Sequence, residues 1–166
     1  CHMLNPDWDK PIVTISSNRS THYYSNEVMN EQATALGDAV MKAIEASGKK
    51  VVLVASHSLS HRHFVTEAPL PEDMSREHIY NHSQYVWDMK LVDLMREGKM
   101  REVIDIMPEF TEQTIAETEG GGLTWMMAAM GHPNYPAEIY GYQSVIGTGN
   151  LIAAWDPDSA SREIVL

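Results

Sequence analysis

An α/β fold, with a mixed central sheet flanked by helices, is the class this sequence predicts, and three observations carry the prediction. Short β-branched runs of strand length stand at residues 12–16 and 50–55. Long segments with apolar residues three and four apart stand at 25–47 and 75–97. The chain then closes on a stretch rich in Tyr, Val, Ile and Gly at 139–155. Apolar runs a few residues long read as strands, and three-to-four spacing as helices packed on them. At 166 residues a single domain, 1–166, is expected, of a size that buries about two-thirds of the surface its unfolded chain exposes.

The first expected strand, 12–16, is closed by the turn formers Ser17-Asn18-Arg19-Ser20. A helix follows over 25–47: Met29, Ala33, Leu36, Val40 and Ile44 recur on one face, Ser25 caps the start and Gly48 the end. Residues 50–55 hold Val51, Val52, Leu53 and Val54 without polar alternation, the pattern of a strand buried on both faces. Pro69 and Pro71 mark 62–73 as a loop. Helical spacing resumes over 75–97, where Val86, Met89, Leu91, Val92, Leu94 and Met95 make a broad stripe ended by Gly98. Ser75 and His78 offer that helix only a partial cap. A short helix at 100–107 and a longer one from Pro108 come next, proline being suited to a first helical turn. Two closing strands flank Gly147-Thr148-Gly149-Asn150, and no repeat, linker or low-complexity tract interrupts the order.

Carboxylates outnumber Lys plus Arg by 23 to 12, for a net charge of −11. Without a basic run anywhere, such a chain repels polyanions, which argues against nucleic acid and anionic membranes as partners. The single cysteine, Cys1, excludes an internal disulfide. With no apolar stretch of membrane-spanning length and no signal-peptide pattern, a cytoplasmic setting is expected. The opening Cys1-His2-Met3 fits either a cloning remnant or the later part of a longer protein.

Chemistry concentrates in two places. Val54-Ala55-Ser56-His57-Ser58-Leu59-Ser60-His61-Arg62-His63 puts His57, His61 and His63 where an apolar run stops, the position from which α/β folds present functional groups. His61 is the leading candidate, as acid, base or ligand, because imidazole titrates near neutrality and carries two usable nitrogens. Serines 56, 58 and 60 offer hydroxyls to fix its tautomer. Alternation along an extended backbone points the three histidines to one side, leaving two of them as scaffold or surface; the competing reading is a solvated loop.

The second place is Ala116-Glu117-Thr118-Glu119-Gly120-Gly121-Gly122-Leu123. Three consecutive glycines in a helical pattern cost about 1 kcal/mol each relative to alanine, a local violation that marks a bend or a close backbone approach. Glu117 or Glu119 just before it is a candidate oxygen ligand for Fe(II), Mn(II) or Mg(II); the alternative is a pair of solvated helix residues. His78 and His82 share an i,i+4 spacing but lack the flanking general base of a His-Glu-x-x-His site, and His132 reads as a turn residue after a helix. There is no phosphate-binding glycine loop, no Gly-x-Ser-x-Gly elbow, no cysteine pair and no dinucleotide fingerprint.

Several stretches together make the chain familiar: Leu4-Asn5-Pro6-Asp7-Trp8-Asp9, Ser58-Leu59-Ser60-His61 with His63-Phe64, Pro71-Glu72-Asp73-Met74-Ser75-Arg76-Glu77, Leu123-Thr124-Trp125-Met126 and Val145-Ile146-Gly147-Thr148-Gly149-Asn150. In combination the chain resembles the class III extradiol ring-cleaving dioxygenases. The resemblance implies an Fe(II) held by two histidines and one glutamate, with O2 and an aromatic substrate, 2-aminophenol or a catechol-like ring, brought together there. It puts Glu117 on the metal-ligand position and His61 on the histidine that handles protons, and leaves Glu119 off the ligand position. It also implies a carboxy-terminal portion of the family fold, because the two histidine ligands belong to an amino-terminal portion. Those would come from that portion of the same protein or from a homologous subunit. Cys1-His2-Met3-Leu4-Asn5-Pro6 runs unbroken inside the pattern, which favours His2 and Met3 as native. The competing expectations are a non-catalytic partner subunit or inactive fragment of a heteromeric dioxygenase, and a divalent-metal hydrolase, for which too few carboxylate ligands are present.

Overall fold

The computed structural model describes residues 5–16, 23–61, 81–145 and 147–158. Helices α1 (Asn26–Ser47), α2 (His82–Arg96), α3 (Met100–Asp105) and α4 (Met107–Thr114) lead to a short 3-10 turn, Glu117–Gly120. Helix α5 (Gly121–Ala129) and the strands β1 (Glu138–Val145) and β2 (Thr148–Ala154) follow. The expected α/β class holds, with a small sheet: β1 and β2 pair antiparallel from Glu138↔Ala154 to Val145↔Thr148.

Helix α1 begins and ends where its caps demand. The Ser25 side chain accepts from the Val28 N–H, and Gly48 closes the helix at φ 61°. Its inner face crosses α5 at Gly37, where an added Cβ would lie 2.9 Å from the Ala129 nitrogen and closer still to Ala128 and the Trp125 carbonyl. Helix α5 is buried almost all round, as a helix without a polar face must be. Asn30 on α1 ties it in, accepting from the Thr124 hydroxyl (3.0 Å) and donating to the Ile104 carbonyl (2.9 Å). Around α5 the core gathers Leu91, Val92 and Met95 of α2, Met100 and Val103 of α3, Met107 and Phe110 of α4, and Met127. Methionines fill much of it, an unbranched side chain being suited to irregular gaps.

Two strand expectations fail in the same way. Residues 12–16 and 50–55 form no regular element, and neither joins a ladder among the described residues. Residues 50–55 are not buried on both faces either: Leu53 and Ala55 pack on the core while Val52 is 84% exposed and Val54 52%. A continuous apolar run records the burial a segment is suited to, and here only one face has a neighbour among the described residues. Helix α2 starts at His82 with Asn81 as its cap; the expected cap at Ser75 and His78, the loop 62–73, and His63 lie outside the described residues. Pro108 stands in the first turn of α4 as expected, but that helix stops at Thr114 rather than running into the glycines. No helix among the described residues is long and apolar enough to cross a membrane.

Candidate active site

Glu117 and His61, far apart in sequence, meet because three backbone segments lace together. Residues 59–61 run between 115–117 on one side and 148–149 on the other. The His61 N–H donates to the Ile115 carbonyl (3.0 Å) and the Glu117 N–H to the Leu59 carbonyl (3.2 Å). Opposite them the Leu59 N–H donates to the Gly149 carbonyl (2.8 Å) and the Gly149 N–H to the Ser60 carbonyl (3.0 Å). The bridges Ser60↔Ala116 and His61↔Thr148 record the same junction.

The backbone around Glu117 is unusual. Ile115 lies at φ 53°, Thr118 at 47°, Glu119 at 50° and Gly120 at 72°. Left-handed backbone costs a non-glycine residue about 1–2 kcal/mol, so this turn is held by the contacts around it rather than by local preference. Gly120 and Gly122 make the turn possible. A Cβ on Gly120 would collide with Met107, and one on Gly122 would come within 2.7 Å of the His57 ring. The three glycines therefore mark a bend and a close approach, as the sequence suggested.

Ser58 joins the two candidate side chains. Its backbone N–H donates to Glu117 Oε2, its hydroxyl donates to the same oxygen at 2.8 Å, and that hydroxyl lies 2.7 Å from His61 Nδ1. A hydroxyl has one proton to give. With that proton on Glu117, the Ser58 oxygen accepts from His61 Nδ1–H, which leaves Nε2 as the basic nitrogen of the neutral ring. His61 Nδ1 stands 3.7 Å from Glu117 Oε2, with both side chains about one-third exposed, 35% and 30%.

Burial pushes the Glu117 carboxyl up, but the Ser58 N–H and hydroxyl, with His61 and His57 beside it, outweigh that and hold it below the ordinary glutamate value. Desolvation pushes His57 below the ordinary imidazole value, against the opposing pull of the Ser58 carbonyl, 2.5 Å from its Nδ1, and of Glu117. The cluster thus presents an ionised carboxylate, an oriented imidazole, and a second imidazole packed over Gly122. Among the described residues no three His, Cys, Asp or Glu side chains converge as a metal site. Glu117 fits one position on a hard or borderline cation, and His61, already bonded through Nδ1 to Ser58, fits a place beside it.

The other candidates fall elsewhere. Glu119 sits in the left-handed turn with its N–H on the Ala116 carbonyl (3.1 Å). His82 stacks on Tyr85 with ring centroids 6.5 Å apart, and its i,i+4 companion His78 lies outside the described residues. His132 occupies the expected turn after α5, at φ 55°. What sequence reasoning missed is Asp88, wholly buried beneath Ser60. A signal existed: Gln84 and Asp88 lie on the buried face with Leu91, Val92 and Met95, so two polar residues occupy an apolar stripe.

The chain belongs to the family described as the catalytic LigB subunit of aromatic ring-opening dioxygenase, whose model matches residues 3–153. It is 48% identical over 155 residues to the 2-aminophenol 1,6-dioxygenase beta subunit of Pseudomonas sp, a match covering 93% of this chain and 51% of that protein. With the 3,4-dihydroxyphenylacetate 2,3-dioxygenase of Escherichia coli it shares 26% identity over 137 residues, 82% of this chain and 46% of that protein. The expected family is confirmed, and the chain spans about half the length of the relatives it matches.

Proposed function

We propose that this chain supplies the carboxylate ligand, Glu117, and the acid–base histidine, His61, of an Fe(II)-dependent extradiol ring-cleaving dioxygenase acting on 2-aminophenol or a catechol-like aromatic. The observation that carries this reading is the Ser58 bridge, which holds a carboxylate and an imidazole side by side in defined orientations. Bound iron supplies a point where an electron-rich ring and O2 are held together and share electron density. One carboxylate is too few ligands for useful affinity. The two histidines that complete the set come from an amino-terminal portion of the same protein or from a homologous subunit. A reducing, cytoplasmic compartment suits iron kept ferrous.

Within that site this chain's residues have distinct tasks. Glu117 offers an oxygen to the cation while Ser58 holds Oε2 and so fixes the plane of the carboxylate. Nε2 of His61, left basic by the Ser58 contact, takes the proton from the ring hydroxyl and later returns one to the oxygen-bearing ring. Between those events the imidazolium lies beside the Glu117 carboxylate. A non-catalytic partner subunit would have no need for both groups to be bridged in this way.

The test is oxygen uptake by the assembled holoenzyme, 2-aminophenol against catechol, with His61→Ala alongside. The variant is expected to keep its iron and to open the ring about 10²- to 10⁴-fold more slowly. Unchanged turnover would remove the acid–base role.

A further inference from the structure

Asp88 of α2 is completely buried, yet its carboxylate serves neither a salt bridge nor solvent among the described residues. Oδ1 accepts from the Ser60 backbone N–H at 3.0 Å, and Oδ2 accepts from the Ser60 hydroxyl and the Tyr142 hydroxyl, both at 2.6 Å. Ser60 is the residue between the two ends of the site. Ser58, on one side, holds Glu117 and His61 together; His61 itself is the next residue on the other. Ser60 also receives the Gly149 N–H, on its carbonyl at 3.0 Å and on its hydroxyl at 3.2 Å. Gly149 has no side chain to spare for this: a Cβ there would occupy the place of the Asp88 carboxylate. Helix α2, strand β1 through Tyr142, and the start of β2 therefore all bear on one residue of the site segment.

We propose that Asp88 is a positioning residue for ring cleavage: its buried carboxylate fixes Ser60, and thereby the register of residues 58–61 that sets His61 against Glu117. This rests on the assignment of those two residues made above. A carboxylate suits the task because it accepts three hydrogen bonds without donating one, so no rotation of its own can release the backbone N–H of Ser60. Burying a charge-bearing group is costly unless its partners are complete, and here each oxygen has a donor. A purely packing role at that point of α2 would be met more cheaply by an apolar residue, like its neighbours on the same face, Leu91 and Val92.

The experiment compares Asp88→Asn and Ser60→Ala in the assembled holoenzyme, measuring iron content, KM for 2-aminophenol, kcat per iron and the thermal midpoint. The amide presents a donor where the carboxylate accepts, while Ser60→Ala keeps the backbone bond and loses only the hydroxyl. Asp88→Asn is expected to retain iron and a KM within about 3-fold, with kcat falling about 10- to 100-fold, the scale of a misplacement of about 1 Å. Ser60→Ala should show the same split to a smaller extent, and it decides the question if Asp88→Asn does not fold. A lowered thermal midpoint with kcat per iron unchanged in both variants would overturn the proposal, leaving Asp88 a structural residue. Glu117→Ala, assayed for iron beside them, keeps two failures apart. Iron retained there overturns the ligand assignment and this inference with it; iron lost there, with kcat intact in the other two, overturns the role of Asp88 alone.

Discussion

At the residue scale a single hydroxyl, that of Ser58, contacts both Glu117 and His61. Ser58 gives its hydroxyl proton to Glu117 and accepts from His61 Nδ1, so Ser58→Ala removes both hydroxyl contacts and leaves only the backbone N–H on Glu117 Oε2. That variant is expected to bind iron more weakly and to lower kcat by about 10-fold or more, since each lost bond to a charged group is worth about 1.5–3 kcal/mol when buried and less at a site this exposed. Metal titration and steady-state kinetics on the variant check it; wild-type values for both would show the bridge to be idle. His57 carries a pH consequence. Its pKa is depressed in the folded state from the ordinary 6.5 by desolvation, with the Ser58 carbonyl and Glu117 opposing. A base favoured in its neutral form when folded contributes stability that is present above the unfolded value and lost as pH falls through the folded one. Thermal midpoints should therefore begin to fall below pH 6.5. His57→Asn, which has no titrating ring, should flatten that part of the profile.

Elements, rather than residues, explain which parts of the fold could be read in advance. Helix α1 was legible end to end because its signals are local: Ser25 and Gly48 act on their own turns, and Met29 and Ala33 fall on the buried face. The hairpin of β1 and β2 was legible as two β-rich runs, but the expected turn was not: Thr148, Gly149 and Asn150 belong to β2, paired with Val145, Ser144 and Gln143. Residues 50–55 misled because burial on a second face depends on a neighbour, which no run of valines can specify. Helix α2 misled more subtly, with Val86 of the expected stripe 49% exposed and Asp88 buried in its stead. The apolar period was present, but hydrogen bonds to Ser60 and Tyr142 set the rotation of its first turns. His61 and Glu117 could be singled out from sequence as candidates, whereas the three-segment lacing that brings them together could not, since backbone pairing leaves no residue-specific mark. The α1–α5 crossing offers a test at this scale. Gly37→Ala gains about 1 kcal/mol of helix propensity, but the new methyl must displace the backbone of α5, an overpacking that costs about 1–3 kcal/mol. Chemical denaturation should show net destabilisation; a more stable variant would mean that the two helices are not held as close as described.

For the whole molecule, a net charge of −11 and the absence of basic runs fit a small-molecule enzyme rather than a polyanion binder. The family match covers residues 3–153, and under the proposed function Glu117 and His61 are two of the groups that ring opening needs. The chain spans about half the length of the relatives it matches, and Glu117 is proposed as one ligand of a set that the described residues do not complete. Its contribution to metal binding can nevertheless be isolated. The most direct measurement is the iron content of the assembled protein, wild type against Glu117→Ala, after reconstitution with Fe(II) and removal of unbound metal. About one Fe(II) per site is predicted for the wild type, with the variant losing nearly all of it. Iron retained at the wild-type level in Glu117→Ala, with turnover intact, would contradict the account.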